Sequence, residues 1–401
     1  MKKIVLLLIV SFFYASLPAQ DRTLRIDYTF SGTATEASIA VDELRSLNGW
    51  AGRNSHRDSL LLAGNGQITM RAKDGTVLYR NSFSTLFQEW QNTQEATKLT
   101  RSFENVFLLP MPEEEAEVTV ELFDSHGRKS ASLTHPVNPA DILIRPAGKL
   151  PEFRQIRIGG PVSECIDVAI VAEGYTADEM ETFYEHAAAA VDAILSYEPF
   201  CRMKDKFNFR AVGLVSAQSG VSIPREGMWK DTPLHSHFDT FYSDRYLTTL
   251  KLKDLHDALS DVPYEHIIIL ANTTTYGGGG IFNSYLLTTA LHPTFKQVVV
   301  HEFGHSFAGL ADEYFYDDQY SDYYHPDVEP WEPNITTKAD FSSKWEDMTG
   351  RCGVGLYEGG GYMSKGVWRP SRDCRMRTNQ ARSFCPVCKR AIERMIRFYT
   401  D

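Results

Sequence analysis

The segment of the chain whose residue types and spacing point most directly to chemistry is His301-Glu302-Phe303-Gly304-His305. On a helix, residues four apart project from one face, so both imidazoles can aim a ring nitrogen at one divalent cation. Glu302 then stands beside that cation and not on it. The pattern suits a zinc ion that keeps one position for water, with the carboxylate taking a proton as that water attacks a carbonyl. The apolar run from Phe295 to Val300 would seat such a helix in a core. Two helical histidines that merely cap or pack are the plain alternative.

A zinc of this type needs a third protein ligand. Were the helix to continue past His305, Asp312 would lie about 10 Å farther along the axis, seven steps of roughly 1.5 Å, and could not reach the same ion. The helix must therefore break, and Gly309 is the residue to break it, because glycine takes the left-handed C-cap conformation without steric cost. The chain can then turn back and present Asp312, with Glu313 as the rival ligand. Whichever of the two does not bind the metal is expected to hydrogen-bond a ligating histidine.

The elements that must position these residues are legible upstream. Ile166 to Ala172 is nearly continuously apolar, as a central strand would be, and leads to Gly174. Thr176 with Glu179 is a capping-box signature that opens a helix reaching about Leu195. Further core strands are expected at Phe207 to Val215 and His266 to Ala271, and this order of strand and helix argues for an α/β layer. Four glycines, Gly277 to Gly280, lack the Lys-Ser/Thr of a phosphate loop and read as a flexible loop entering an edge strand. Ala391 to Phe398 is amphipathic, as a closing helix would be.

Residues 21 to 145 have a different texture. Leu24, Ile26, Tyr28 and Phe30 alternate with Thr23, Arg25, Asp27 and Thr29, the period of a half-buried strand. Asp74-Gly75 and Asp124 to Gly127 are turn signals between apolar-alternating runs, and short strands of this kind suggest an antiparallel sandwich. No catalytic constellation is found in this stretch, so binding, positioning or assistance in folding is its expected task. Pro139, Pro146, Pro151 and Gly159-Gly160-Pro161 mark the expected boundary.

With 401 residues, 43% of them hydrophobic, the chain can build large cores, and two domains is the natural count. A formal net charge of −11 gives no sign of the basic surface that nucleic acid requires. Residues 1–19 carry the three parts of a secretory signal, namely Met1-Lys2-Lys3, the apolar Ile4 to Phe13, and small residues to Ala19. The apolar run falls short of the roughly 20 residues a bilayer requires, so no membrane insertion is expected after cleavage. Export to the periplasm, cell surface or medium follows from this reading. Disulfides are then the expected state of Cys165, Cys201, Cys352, Cys374, Cys385 and Cys388, with connectivity open. Cys385-Pro386-Val387-Cys388 also admits a zinc or redox reading, though a second such pair is missing.

Two further clusters are weighed. His235 and His237 could face one side of a strand as a second metal site, but hydrogen-bonded or surface histidines are the expectation. Asp312 to Asp327 is rich in Asp and Tyr (Asp317, Asp318, Asp322, Tyr320, Tyr323, Tyr324), and its oxygens could hold Ca²⁺. The spacing matches no calcium loop, and a solvated cleft rim is preferred.

The run from His301 to Tyr314 resembles the zinc-binding signature of the bacterial IgA-cleaving metallopeptidases, a metzincin-like family. Gly361 to Pro370, Asp373 to Arg377 and Phe384 to Cys388 agree with it. Gly309 and Asp312 each arrive one residue later than in the usual metzincin spacing. The resemblance covers roughly residues 160 to 400 and implies His301, His305 and Asp312 as zinc ligands, Glu302 as general base, and a separate β-domain in front. It also implies a methionine beneath the metal, with Met376 the first candidate and Met363 the second, and Tyr362 is a weaker candidate for stabilising an oxyanion. The implied architecture is an all-β sandwich domain (20–150) before an α/β (α+β) metzincin-like zinc peptidase domain (151–401). The implied activity is zinc-dependent cleavage of extracellular proteins, with immunoglobulin A or mucosal glycoproteins as substrates. A non-catalytic adhesin on the same fold and a zinc hydrolase of non-peptide bonds are the alternatives. An intact Glu302 speaks against the adhesin.

Overall fold

The computed structural model describes residues 22–148, 151–316 and 323–401. The expected signal segment lies outside them, as do Asp317, Asp318, Tyr320 and Asp322. No helix among the described residues is long and apolar enough to cross a membrane.

The first part is built of strands β1 (Arg22–Gly32), β2 (Ala37–Asn48), β3 (Gly66–Ala72), β4 (Val77–Phe83), β5 (Arg101–Pro110), β6 (Ala116–Phe123), β7 (Lys129–Val137) and β8 (Arg145–Pro146), with helix α1 (Leu86–Gln91) between β4 and β5. They form two four-stranded sheets, ordered β5-β1-β2-β8 and β4-β3-β6-β7. Leu24, Ile26, Tyr28 and Phe30 of the first sheet meet Ile68, Met70, Val118, Val120 and Leu122 of the second in one core. Both expected hairpins form. Asp74 Oδ1 accepts the Thr76 amide at 2.9 Å beside Gly75 at φ +89°, the left-handed backbone that only glycine adopts cheaply. One expectation fails: β1 is buried on both faces, Arg25 and Asp27 included, because its polar face packs against a helix of the second part.

That second part contains β9 (Phe153–Arg157), β10 (Ile166–Glu173), α2 (Met180–Leu195), β11 (Phe207–Val212), α3 (Leu252–Ala258), β12 (His266–Ala271), β13 (Gly278–Gly280), β14 (Leu286–Thr289), α4 (Phe295–Ala308), β15 (Phe315–Tyr316), β16 (Tyr357–Gly360), β17 (Tyr362–Arg369) and α5 (Pro386–Thr400). Glu179 accepts from the backbone N–H and the hydroxyl of Thr176 at 2.9 and 3.0 Å, tying down the turn that leads into α2. A six-stranded sheet runs β13-β14-β12-β10-β11-β9, with β14, β12, β10 and β11 parallel and both edges antiparallel. The continuous apolar run of β10 follows from covering on both faces. Val168, Ile170 and Ala172 face the core shared with α2, α4 and α5, whereas Ala169 and Val171 face the core that continues into the N-terminal sheets. A small sheet, β15-β17-β16, flanks the helix α4 loop.

Candidate metal centre

Helix α4 carries His301 and His305 on one face, as the spacing predicts, and their Nε2 atoms stand 3.0 Å apart. The helix ends at Gly309, whose backbone is left-handed (φ +59°) and whose N–H is donated to the His305 carbonyl at 3.0 Å. The chain then doubles back. Asp312 Oδ1 lies 2.9 Å from His301 Nε2 and 3.3 Å from His305 Nε2. Each imidazole donates its Nδ1–H to a backbone carbonyl, His301 to Arg375 at 2.9 Å and His305 to Leu310 at 2.5 Å. That choice leaves both Nε2 lone pairs aimed at one point.

The returning loop is held from three sides. Asn334, fully buried, donates to the Ala311 carbonyl and accepts the Ala311 amide at 2.9 and 2.7 Å. The Glu313 amide donates to the Met376 carbonyl at 2.7 Å, and the Gly361 amide to the Asp312 carbonyl at 2.8 Å. Arg375, whose carbonyl receives His301, is itself pinned: its guanidinium donates to the Asn379 carbonyl at 2.9 Å and to the Ala381 carbonyl at 2.5 Å. Asn334 and Arg375 were missed from sequence because nothing in their neighbourhood of the chain refers to residues 301–313.

The donor set fits a zinc-like ion. Metal bonds of about 2.0–2.1 Å in a tetrahedron put neighbouring ligand atoms about 3.3 Å apart, close to the separations found. Asp312 Oδ1 is buried and lacks a hydrogen-bond donor, an orphaned oxygen that a cation would satisfy. Burial opposes charge on His305, but the adjacent Asp312 carboxylate outweighs it and lifts the imidazole to about 9. Burial would likewise raise Asp312, yet the two imidazoles pull it far below the usual carboxylate range. A cluster that draws a proton to this degree is one that a divalent cation would neutralise instead.

Glu302 lies within 4.8 Å of the same ring nitrogens and against the backbone of β13. A Cβ on Gly278 would come 2.8 Å from its Oε1, and one on Gly280 would come 2.5 Å from its carbonyl and 2.9 Å from His305 Cβ. The glycine run is thus the edge strand itself, and its missing side chains let the strand close onto α4. Burial pushes the Glu302 carboxyl upward, partly offset by His301 and His305.

Other candidates fall elsewhere. Met376 is fully buried against Gly304, between the two histidines of α4, whereas Met363 packs in a separate small cluster with Val367. The Tyr362 hydroxyl donates to Asp312 Oδ2, which places it beside the two histidines. Glu313 does not bond a histidine. It accepts from Asn334 at 3.1 Å and lies 3.1 Å from Cys388 Sγ. His235 is exposed with a left-handed backbone, and His237 hydrogen-bonds the Phe238 carbonyl, so they form no pair. Among the described residues the 312–327 carboxylates make no shared cation cluster. The expected disulfides do not form: all six cysteines are free, and the Sγ atoms of Cys374 and Cys388 are 3.7 Å apart, against about 2.05 Å in a bond.

No curated protein matches the chain. Family profiles do: residues 155–352 and 349–396 match the one described as IgA Peptidase M64, and residues 16–134 match Peptidase M64 N-terminus. The chain, with its β-rich first part and the α/β part that carries His301 to Asp312, therefore belongs to the IgA peptidase family M64.

Proposed function

We propose that the protein is an exported zinc-dependent endopeptidase, with a β-sandwich domain over residues 20–150 and a metzincin-like catalytic domain over 151–401. The observation that carries this reading is the convergence of His301 Nε2, His305 Nε2 and Asp312 Oδ1 within 3.3 Å of one another, with Glu302 alongside. These three residues would hold the ion. Once bound, zinc would supply a Lewis acid for the scissile carbonyl and acidify the attacking water. Glu302, desolvated against Gly278, takes the proton of that water and passes it to the leaving amine. The Arg375 and Leu310 carbonyls keep the imidazoles in the tautomer that ligation needs, and Met376 gives the site an apolar floor. The helix break at Gly309 and the place of Met376 support the metzincin-like assignment, and the lysine-led apolar leader supports export. The family description makes immunoglobulin A the first substrate to assay, with mucosal glycoproteins beside it.

The test is incubation of the purified chain with casein, gelatin and immunoglobulins, with and without chelator. Chelator-sensitive peptide products are expected, and cleavage that survives full metal removal would defeat the proposal. Glu302→Ala should retain zinc and lose about 10²–10⁴-fold in kcat, whereas His301→Ala should lose both. Undiminished cleavage by Glu302→Ala would take that residue out of the mechanism.

A further inference from the structure

A second cluster of ligating atoms lies behind the first. Cys374, Cys385 and Cys388 converge with Glu313, and the four ligand atoms all fall within 4.8 Å of one another. Each side chain is buried, Cys374, Cys388 and Glu313 completely. The Cys374 and Cys388 Sγ atoms are 3.7 Å apart, and Glu313 Oε1 lies 3.1 Å from Cys388 Sγ and 4.0 Å from Cys385 Sγ. A tetrahedron with Zn–S bonds of about 2.3 Å has an S···S edge of about 3.8 Å, and an S···O edge with a carboxylate of about 3.5 Å. The separations match those of ligands around an ion and not those of a bonded sulfur pair.

Three further observations bear on the ligand. The number of thiols is odd, so pairing within the pocket would leave one over. Backbone amides point at the sulfurs: the Cys385 N–H donates to Cys374 Sγ at 3.2 Å and the Cys388 N–H to Cys385 Sγ at 3.5 Å, a pattern that favours thiolates. Glu313 Oε2 is buried with no hydrogen-bond partner, and among the described residues no lysine or arginine forms an ion pair with this carboxylate. A carboxylate sealed away from water needs a cation; the Arg369 charge acts on it without an ion-pair contact, so no described side chain neutralises it directly.

We infer that Cys374, Cys385, Cys388 and Glu313 form a second, structural zinc site. Four protein ligands close the coordination shell, so no position is left for substrate or water. Binding releases the proton of each thiol as its sulfur joins the ion. Its place gives it a task. Glu313 follows Asp312 directly, Cys374 precedes the Arg375 carbonyl that receives His301, and Cys385 and Cys388 open α5. One ion would thus clamp to a single helix both loops that shape the first site.

The experiment is elemental analysis of the purified full chain with X-ray absorption at the zinc edge. Two zinc ions per chain are expected, with a sulfur shell near 2.3 Å alongside nitrogen and oxygen. His305→Ala should empty the first site and keep one zinc in a sulfur-dominated shell, which separates this inference from the peptidase reading. Cys385→Ser with Cys388→Ser should lose the sulfur shell and one equivalent of zinc. If that double variant does not fold, the wild-type and His305→Ala measurements decide alone. One zinc per chain with no sulfur shell would overturn the inference, as would a disulfide among the three cysteines by intact mass, or free reaction of all three thiols with maleimide in the native protein.

Discussion

Tyr362, a candidate for stabilising an oxyanion, makes a contact that spacing along the chain did not suggest. Its backbone is left-handed, at φ +66°, a conformation that costs a non-glycine residue about 1–3 kcal/mol and persists only where its surroundings enforce it. What the strain achieves is the direction of the hydroxyl, which donates to Asp312 Oδ2 and leaves Oδ1 facing the imidazoles. Removal of such an orienting bond typically weakens metal affinity about 10–100-fold. If the proposed zinc is bound as argued, Tyr362→Phe is expected to raise its dissociation constant by that factor with little change in fold, as read by competition with a chelator. Unchanged affinity would make Tyr362 a substrate-side residue instead. At this scale local spacing brought forward His301, His305 and Glu302 and left Asp312 and Glu313 as rivals, whereas Asn334, Arg375 and the contact of Glu313 with Cys388 depend on partners 23 to 75 residues away.

Two elements carry consequences of their own. Strand β13 touches α4 closely enough that a methyl group on Gly280 would collide with the Glu302 carbonyl at 2.5 Å. Gly280→Ala should push strand and helix apart, costing about 1–3 kcal/mol as overpacking does and lowering kcat. Full activity with an unchanged Tm would mean that the strand gives way freely. Strand β12 buries His266 against Phe307 and Tyr399 with no partner for its Nε2. Burial holds that imidazole down to about 3, against an ordinary histidine value of 6.5. Between those values the unfolded chain binds the extra proton, so this contribution to stability is whole above pH 6.5 and is lost as pH falls toward 3. The loss should reach a few kcal/mol. In His266→Leu the decline of unfolding free energy between pH 6.5 and 4 is expected to be shallower than in the wild type. Equal slopes would assign the acid sensitivity to other groups.

For the whole molecule, the decisive feature is that the N-terminal sheets and the six-stranded sheet share a core. Arg25 of β1 lies at the seam: it donates to both oxygens of buried Asp27 at 2.7 and 2.8 Å and to Asp257 of α3 at 2.5 Å. The first part also grips segments around the candidate metal centre. Asn65 accepts from the Trp331 indole at 2.6 Å and donates to the Tyr323 hydroxyl at 3.2 Å, and Glu89 accepts from the Tyr246 hydroxyl beside Gly279. The expectation of a positioning module gains specific contacts here, although none of them is visible as a motif. Arg25→Met would strand the Asp27 carboxylate and should cost about 3–5 kcal/mol. Denaturant unfolding should show one common transition at lower midpoint, with hydrogen exchange accelerated in both parts. Acceleration confined to the first part would mean that the two cores open independently.

The chain by itself determined what is local: the face shared by His301 and His305, the break at Gly309, the turns at Gly75 and Gly127, and the strands whose apolar period is written over six or eight residues. Such features depend on helix and turn geometry within a few residues. Tertiary structure alone decided that Asp312 faces the histidines while Glu313 faces the sulfurs, that the cysteines gather without bonding, and that the polar side of β1 is buried. Each of those outcomes is set by which distant surface a side chain meets, and spacing along the chain carries no record of it.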